Sequence, residues 1–115
     1  MPYLSIETNV ALTEAQQKAL VESASRFIVE KLKKPQSYTM ISYSGAKRFL
    51  FSGNEEPAAF VELRAINLPV NNCGELSSEI CALIEKHCRI KPDRIFINFS
   101  DVPANLWGYN KTTFG

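Results

Sequence analysis

Apolar and polar residues alternate near the start of the chain and then change to helical spacing. Residues 2–8 place Leu4 and Ile6 between polar neighbours, which predicts a half-buried β-strand. Apolar residues then recur every three or four positions, which predicts a helix over about 14–33. The members of this apolar stripe are Leu20, Ala24, Phe27, Ile28 and Leu32.

The boundaries of this helix are also marked in the sequence. Thr13 and Gln16 have the spacing of a capping box, and Pro35 marks the helix end. An aromatic-flanked run with β-branched residues predicts the next strand, at 38–44. Residues 47–52 are at best a short hairpin partner of that strand.

The second half of the chain repeats the pattern of the first. We predict a strand over 58–68, a helix over 72–89 and a strand over 94–100, with Asn72 and Glu75 placed to cap the helix. The apolar stripe of this helix lies 56 residues after that of the first: Leu76, Ile80, Leu83, Ile84 and Cys88.

A duplicated β-α-β unit therefore accounts for the whole pattern. We predict a single domain, 1–115, with pseudo-repeats at about 2–44 and 58–101. Parallel strands joined by a crossover helix are the natural form of each unit. Two units together predict an α+β fold, in which a four-stranded mixed sheet carries two helices on one face. Apolar residues on both faces of the sheet suggest self-association through the uncovered face.

Composition and charge narrow the function classes. The 115-residue, 12.9-kDa chain is 45% hydrophobic and 22% charged, the profile of one soluble domain. Its 13 Lys and Arg residues against 12 Asp and Glu give a net charge of +1, without the basic excess expected of a nucleic-acid binder. No apolar run is long enough to predict a membrane span.

The cysteines leave two interpretations open. Cys73, Cys81 and Cys88 form no C-x-x-C pair, and their odd number suits a reducing compartment better than a disulfide framework. Together with His87 they offer ligand types that zinc accepts. Helix cysteines more often pack as small hydrophobes, so we predict no metal site.

The candidate catalytic group is Pro2. Removal of Met1 exposes a secondary amine there, and an α-amino group titrates at about 7.7–8.0 when unperturbed. Modest burial or a nearby cation lowers that pKa, so the amine is able to act as a general base at neutral pH. The competing interpretation is an ordinary chain start. No carboxylate pair, Ser/His/Asp set or glycine-rich phosphate loop offers another catalytic centre.

An ordered set of short motifs spans the chain: Pro2, Thr8-Asn9-Val10, Lys34-Pro35-x-x-Tyr38, Ser52-Gly53-x-x-Glu56-Pro57, Ile66, Pro92-Asp93-Arg94-Ile95-x-Ile97-Asn98 and Thr113-Phe114. Each motif is weak alone. Their order and near-constant spacing, with the duplicated β-α-β unit, make the set specific. It resembles the macrophage migration inhibitory factor and D-dopachrome tautomerase family of the tautomerase superfamily.

The resemblance implies a homotrimer with sites at the subunit interfaces, and it assigns roles to four residues. Pro2 matches the proline that shuttles a proton, and Lys34 the lysine that holds the substrate carboxylate and lowers the proline pKa. Ile66 matches a residue whose backbone amide contacts the substrate, and Asn98 an asparagine from the neighbouring subunit. Each assignment has a competing role. Lys34 would be a solvated lysine at the helix end, Ile66 would pack in the core, and Asn98 would make a structural hydrogen bond.

Five aromatic residues complete the implied pocket. Tyr38, Tyr109 and Phe114 resemble its walls, although ordinary packing explains them equally well. Phe96 stands where the family commonly has an interface tyrosine, so one hydroxyl is lost. Trp107 replaces a smaller aliphatic residue at the pocket mouth, where it either narrows the site or stacks on an aromatic substrate.

The resemblance implies a keto–enol tautomerase acting on phenylpyruvate-like aromatic α-keto acids, without metal or organic cofactor. The alternative is a cytokine-like binding trimer, with vestigial tautomerase activity and a protein receptor that the sequence does not identify. A third possible function uses the N-terminal proline on other substrates, as superfamily members do in hydrations or decarboxylations. Those relatives rely on extra arginines or carboxylates near the proline, and the sequence shows no clear equivalent.

Two further expectations concern redox chemistry and location. Residues 58–61 replace the C-x-x-C associated with thiol oxidoreductase activity in the family, so we do not expect that activity. The first residues lack the basic start and apolar run of a signal peptide, which predicts a cytoplasmic protein. Export without a signal peptide, as in family members, stays open.

Overall fold

A computed structural model describes all of residues 1–115. The helices are α1 (Glu14–Leu32) and α2 (Cys73–Cys88), and the strands are β1 (Tyr3–Thr8), β2 (Met40–Ser44), β3 (Ala59–Ala65), β4 (Ile95–Asp101), β5 (Gly108–Tyr109) and β6 (Thr112–Thr113). The main sheet has the order β2-β1-β3-β4. β1 is parallel to β2 and β3 is parallel to β4, while β1 and β3 are antiparallel. The predicted α+β fold with a duplicated β-α-β unit is confirmed.

The two helix starts differ in how they are capped. At α1 the predicted capping box is present: the Gln16 backbone donates to Thr13 Oγ1 over 3.2 Å, and the Thr13 backbone donates to Gln16 Oε1 over 2.9 Å. At α2 the prediction of a side-chain cap is wrong, because the Asn72 side chain makes no capping hydrogen bond. A 3-10 turn, Val70–Asn72, runs directly into this helix, so Asn72 does not take the extended conformation of an N-cap.

Several predicted strands are longer than the strands in the structure. The strand predicted at 38–44 loses its start to a 3-10 turn, Gln36–Tyr38. β3 ends at Ala65 rather than 68, because Asn67 adopts a left-handed conformation (φ 57°) that no strand accommodates. The suggested hairpin partner at 47–52 is reduced to a single bridge between Phe51 and Asn54.

The core lies between the helices and one face of the sheet. Leu4 and Ile6 of β1 and Leu63 of β3 are fully buried there, as the alternating pattern predicts. The helices contribute both apolar stripes, of which these residues are buried: Leu20, Ala24, Ile28, Leu32, Leu76, Ile80, Ile84 and Cys88. Neither helix is long and apolar enough to cross a lipid bilayer.

The opposite face of the sheet has no covering element in the chain. Its central row pairs Ser5 with Ser42 on one side and with Glu62 on the other, and Asn98 lies beyond Glu62. The expectation of apolar residues on both faces is therefore wrong for the middle of this face.

Exposed aromatic residues are confined to one end of the open face. Phe96 of β4 lies there beside Phe60 of β3.

Several motif residues hold loops to this scaffold. The Asn9 side-chain amide donates to the carbonyl oxygens of Glu55 and Glu56 over 3.1 and 3.0 Å, and its oxygen accepts from the Ala58 backbone over 2.9 Å. The Arg94 guanidinium donates to the Glu56 carbonyl oxygen over 2.9 Å. These contacts fix the connection into β3 and give the two residues a structural role.

Candidate functional site

A cavity of about 570 Å³ opens at the end of the sheet where β1 begins. It lies between the chain start, the 3-10 turn before β2, and the β5–β6 hairpin. Its lining is mainly hydrophobic: Met1, Pro2, Tyr3, Ser37, Tyr38, Thr39, Met40, Arg64, Val102, Leu106, Trp107, Gly108, Tyr109 and Phe114. A concave apolar site with few polar groups is typical of a small-molecule pocket.

Pro2 is fully buried at this cavity. The Met40 backbone amide donates a 3.0 Å hydrogen bond to the Pro2 carbonyl oxygen, which continues the β1–β2 ladder to the start of the chain. Burial, and then the positive charge of Lys34, lower the pKa of the adjacent Met1 α-amino group. An amine at this place is therefore neutral at lower pH than a free α-amine.

The structure distinguishes the two lysines at the end of α1. Lys33 is the left-handed residue that ends the helix (φ 53°), and it is exposed. Lys34 is half-buried, and its charge acts on the Met1 amino group at the cavity. Lys34 does not itself line the cavity. Its position near the chain start fits the role that the resemblance assigns to Lys34, and that role stays a prediction.

The predicted aromatic walls lie together. The ring of Tyr38 meets those of Tyr109 and Phe114 edge-on, with centroids 5.2 and 5.6 Å apart. Tyr109 and Phe114 stack at 5.3 Å. Trp107 lines the same cavity and is half-buried. The β5–β6 hairpin brings three of these residues to the 3-10 turn that carries Tyr38, a juxtaposition that chain spacing does not reveal.

Three predicted site residues lie outside the cavity. Ile66 is buried in the turn after β3. Asn98 is exposed on the open sheet face, opposite Glu62. Phe96 is at the far end of that face, where its ring lies 4.6 Å from the ring of Phe51. The resemblance assigns Asn98 and Phe96 to the site of a neighbouring subunit, so a single chain leaves both assignments as predictions.

Sequence reasoning missed Arg64. The sequence showed no clear equivalent of an arginine near the proline, whereas the structure places Arg64 in the lining of the same cavity. The antiparallel pairing of β1 and β3 places Arg64 directly opposite Tyr3, the residue after Pro2. The sequence signal was the alternation of Arg64 with its apolar neighbours Leu63 and Ala65, but the strand register was needed to bring it to Pro2.

The cysteines are not assembled into a site. No three His, Cys, Asp or Glu side chains are grouped so that they could hold a metal ion. Cys88 is buried in the core, and this burial raises the pKa of its thiol to about 11. The thiol is therefore protonated at neutral pH and packs as a small hydrophobe.

Comparison with known proteins extends over the full chain. The family model for macrophage migration inhibitory factor matches residues 1–115. A macrophage migration inhibitory factor homolog from Brugia malayi is 31% identical, with 100% of both chains covered. The crystal structure of a homologue from Prochlorococcus marinus has a TM-score of 0.93 and 38% identity, covering 98% of this chain and 99% of that chain. The factor from Toxoplasma gondii has a TM-score of 0.90 and 29% identity, covering 97% and 99%.

Proposed function

The chain belongs to the macrophage migration inhibitory factor family of the tautomerase superfamily, and on that premise we propose that it is a keto–enol tautomerase of phenylpyruvate-like aromatic α-keto acids. The observation that supports this most directly is the burial of Pro2 in a mainly apolar cavity with aromatic walls. Once Met1 is removed, the Pro2 nitrogen becomes a secondary amine inside that cavity.

The proposed reaction moves one proton through this amine. The neutral Pro2 nitrogen takes a proton from the benzylic carbon of the keto form, and the C–H electron pair forms the new carbon–carbon double bond. The carbonyl π electrons move to oxygen. The Pro2 ammonium then returns the proton to that oxygen and gives the enol. Each step uses only groups of the protein, so the proposal requires no cofactor.

The protonation state of Pro2 follows from its surroundings. Burial and then the charge of Lys34 lower the pKa of the Met1 α-amino group. Removal of Met1 creates a new α-amine on the next residue, Pro2, and we propose that the same two effects act on it. Both effects disfavour an ammonium. We therefore propose that Pro2 is mainly neutral at pH 7, the state that a general base requires, and that Lys34 attracts the substrate carboxylate.

The aromatic walls support the choice of an aromatic substrate. The edge-on contacts of Tyr38 with Tyr109 and Phe114 show that this lining already packs ring against ring. Trp107 adds a further large ring to the lining. A substrate phenyl group is thus proposed to lie against this cluster, with its reacting carbon toward Pro2 and with water displaced from the cavity.

The proposed assembly is a homotrimer, in which each site is completed by a neighbour. Asn98 and Phe96 are on the uncovered sheet face and away from the cavity of their own chain. In the proposed trimer, Asn98 steadies the polar end of the substrate together with the Ile66 backbone amide. Phe96 supplies an apolar wall without the hydroxyl of a tyrosine.

The test combines intact-protein mass with a phenylpyruvate tautomerisation assay on the same sample. Protein that has lost Met1 is compared with Pro2→Gly and with a form that retains Met1, in which the Pro2 nitrogen is a non-basic amide. Only the processed wild type is expected to be active. Equal rates for wild type and Pro2→Gly would exclude Pro2 as the catalytic base. A processed protein without activity would favour the cytokine-like binding trimer.

A further inference from the structure

Arg64 is the only residue with a charged side chain that lines the Pro2 cavity. The other lining side chains are apolar, aromatic or neutral polar groups. Arg64 belongs to β3, and its register partner Tyr3 directly follows Pro2. A permanent cation at a mainly apolar site attracts an anionic group of a ligand, because the attraction is stronger where water is displaced.

Most of the hydrogen-bonding capacity of Arg64 is free. Its single hydrogen bond runs from Nη2 to Glu62 Oε2 over 2.9 Å, along the same strand. A guanidinium has five N–H donors in a planar fork, and this contact occupies one of them. Glu62 does not line the cavity, so its carboxylate orients Arg64 from outside. The remaining donors are sufficient for a carboxylate bound through both oxygens.

Lys34 and Arg64 approach Pro2 from different parts of the fold. Lys34 follows α1, in the segment that leads through a 3-10 turn to β2, whereas Arg64 lies on β3. β2 and β3 flank β1 on opposite sides. The two cations therefore come from different segments, on either side of the strand that Pro2 precedes, and a ligand with two anionic groups is able to engage both.

We propose that Arg64 forms a second anion subsite, and that the preferred substrates are aromatic α-keto acids with a second carboxylate away from the keto-acid group. This inference rests on the proposed tautomerase function and specifies its substrate class. The keto-acid carboxylate is held on the Lys34 side, the ring lies against the aromatic walls, and the second carboxylate pairs with Arg64.

The experiment compares two substrates that differ by one group, phenylpyruvate and its para-carboxylated derivative. Both are assayed with processed wild type, Arg64→Gln, Arg64→Lys and Arg48→Gln. Arg48 serves as the charge control, because it is exposed and absent from the cavity lining. We expect wild type to favour the diacid by about tenfold in kcat/KM, the scale of a charge-assisted hydrogen-bond pair.

Arg64→Gln is expected to lower kcat/KM for the diacid more than kcat/KM for phenylpyruvate, so that the preference is lost, and Arg64→Lys is expected to restore the preference in part. Arg48→Gln should retain the wild-type ratio. The subsite is refuted if wild type shows no preference, or if Arg64→Gln lowers both substrates equally, since the arginine would then bind the shared carboxylate.

A binding measurement separates this inference from the proposed function. The fluorescence of Trp107, the single tryptophan, is titrated with each acid in wild type and Arg64→Gln. Tighter diacid binding that depends on Arg64 supports the subsite even without turnover, in which case only the tautomerase proposal fails. If phenylpyruvate is turned over but both acids bind equally well, the tautomerase proposal stands and the subsite proposal is overturned.

Discussion

The backbone amide of Met40 donates a 3.0 Å hydrogen bond to the carbonyl oxygen of Pro2. This bond extends the parallel β1–β2 pairing beyond Tyr3, to the residue that carries the proposed catalytic nitrogen. Chain starts are usually mobile unless tied into a sheet. Here the sheet fixes Pro2 at the cavity, and a fixed position is what proton transfer to a defined carbon requires.

The first prediction concerns pH. Because burial and then Lys34 lower the pKa of an amine at this chain start, kcat/KM for phenylpyruvate should rise with pH through an apparent pKa below that of a free α-amine. The base is inactive when protonated, so activity is lost below this pKa and retained above it. A pH–rate profile of processed protein measures it. A midpoint at or above about 8 contradicts the assignment.

The second prediction separates the neighbouring lysines. Lys34→Gln removes the cation that acts at the chain start, so the midpoint of the pH profile should move upward. The KM for phenylpyruvate should rise by about tenfold, because a charge-assisted contact to the carboxylate is lost. Lys33→Gln is the matched control, because Lys33 is exposed and ends the helix. Equal effects of the two substitutions would exclude a specific role for Lys34.

The third prediction concerns assembly. Sedimentation should give three times the 12.9-kDa chain mass. Phe96→Asp should dissociate the trimer, because a charge at this exposed aromatic end of the open sheet face opposes burial. Val70→Asp is the control, since Val70 is just as exposed, at 59%, but lies before α2. A trimer that survives Phe96→Asp places the interface elsewhere.

The fourth prediction tests the core. Leu63 is 0% exposed and Leu50 is 76% exposed. Leu63→Ala should lower the free energy of unfolding by about 2–5 kcal/mol, because it removes buried contacts and leaves a cavity. Leu50→Ala should change it by less than about 0.5 kcal/mol. Urea unfolding at one protein concentration checks both values, and similar losses would contradict the assigned core.

The fifth prediction concerns Cys88. Its thiol has a pKa raised to about 11 by burial, so very little thiolate forms at pH 8. Iodoacetamide should label the half-buried Cys73 in the folded protein, and should label Cys88 only after unfolding. Peptide mass spectrometry follows both sites. Equal labelling rates under native conditions would show that Cys88 is accessible and ionised.

The fold was largely predictable from local patterns. The alternation around Leu4 and Ile6 identified β1, and the two apolar stripes identified the helices, since burial imposes the period of each element on its sequence. Boundaries were less accurate where backbone conformation decided them, as at Asn67, whose left-handed φ ends the extended segment after β3. The cap expected from Asn72 failed because a 3-10 turn occupies that position.

The sequence by itself determined the duplicated β-α-β architecture, the core face of each element, and Pro2 as the candidate base. The architecture and the core faces follow from chain periodicity, whereas Pro2 became the candidate through the chemistry of its amine together with the family resemblance, and its role stays a prediction. Only the tertiary structure showed that Arg64 shares the cavity and how the aromatic walls contact one another. Strand pairing placed Arg64 beside Tyr3, and the β5–β6 hairpin brought Tyr109 and Phe114 to Tyr38. Register and hairpin docking depend on contacts between segments far apart in the chain, which no local pattern encodes.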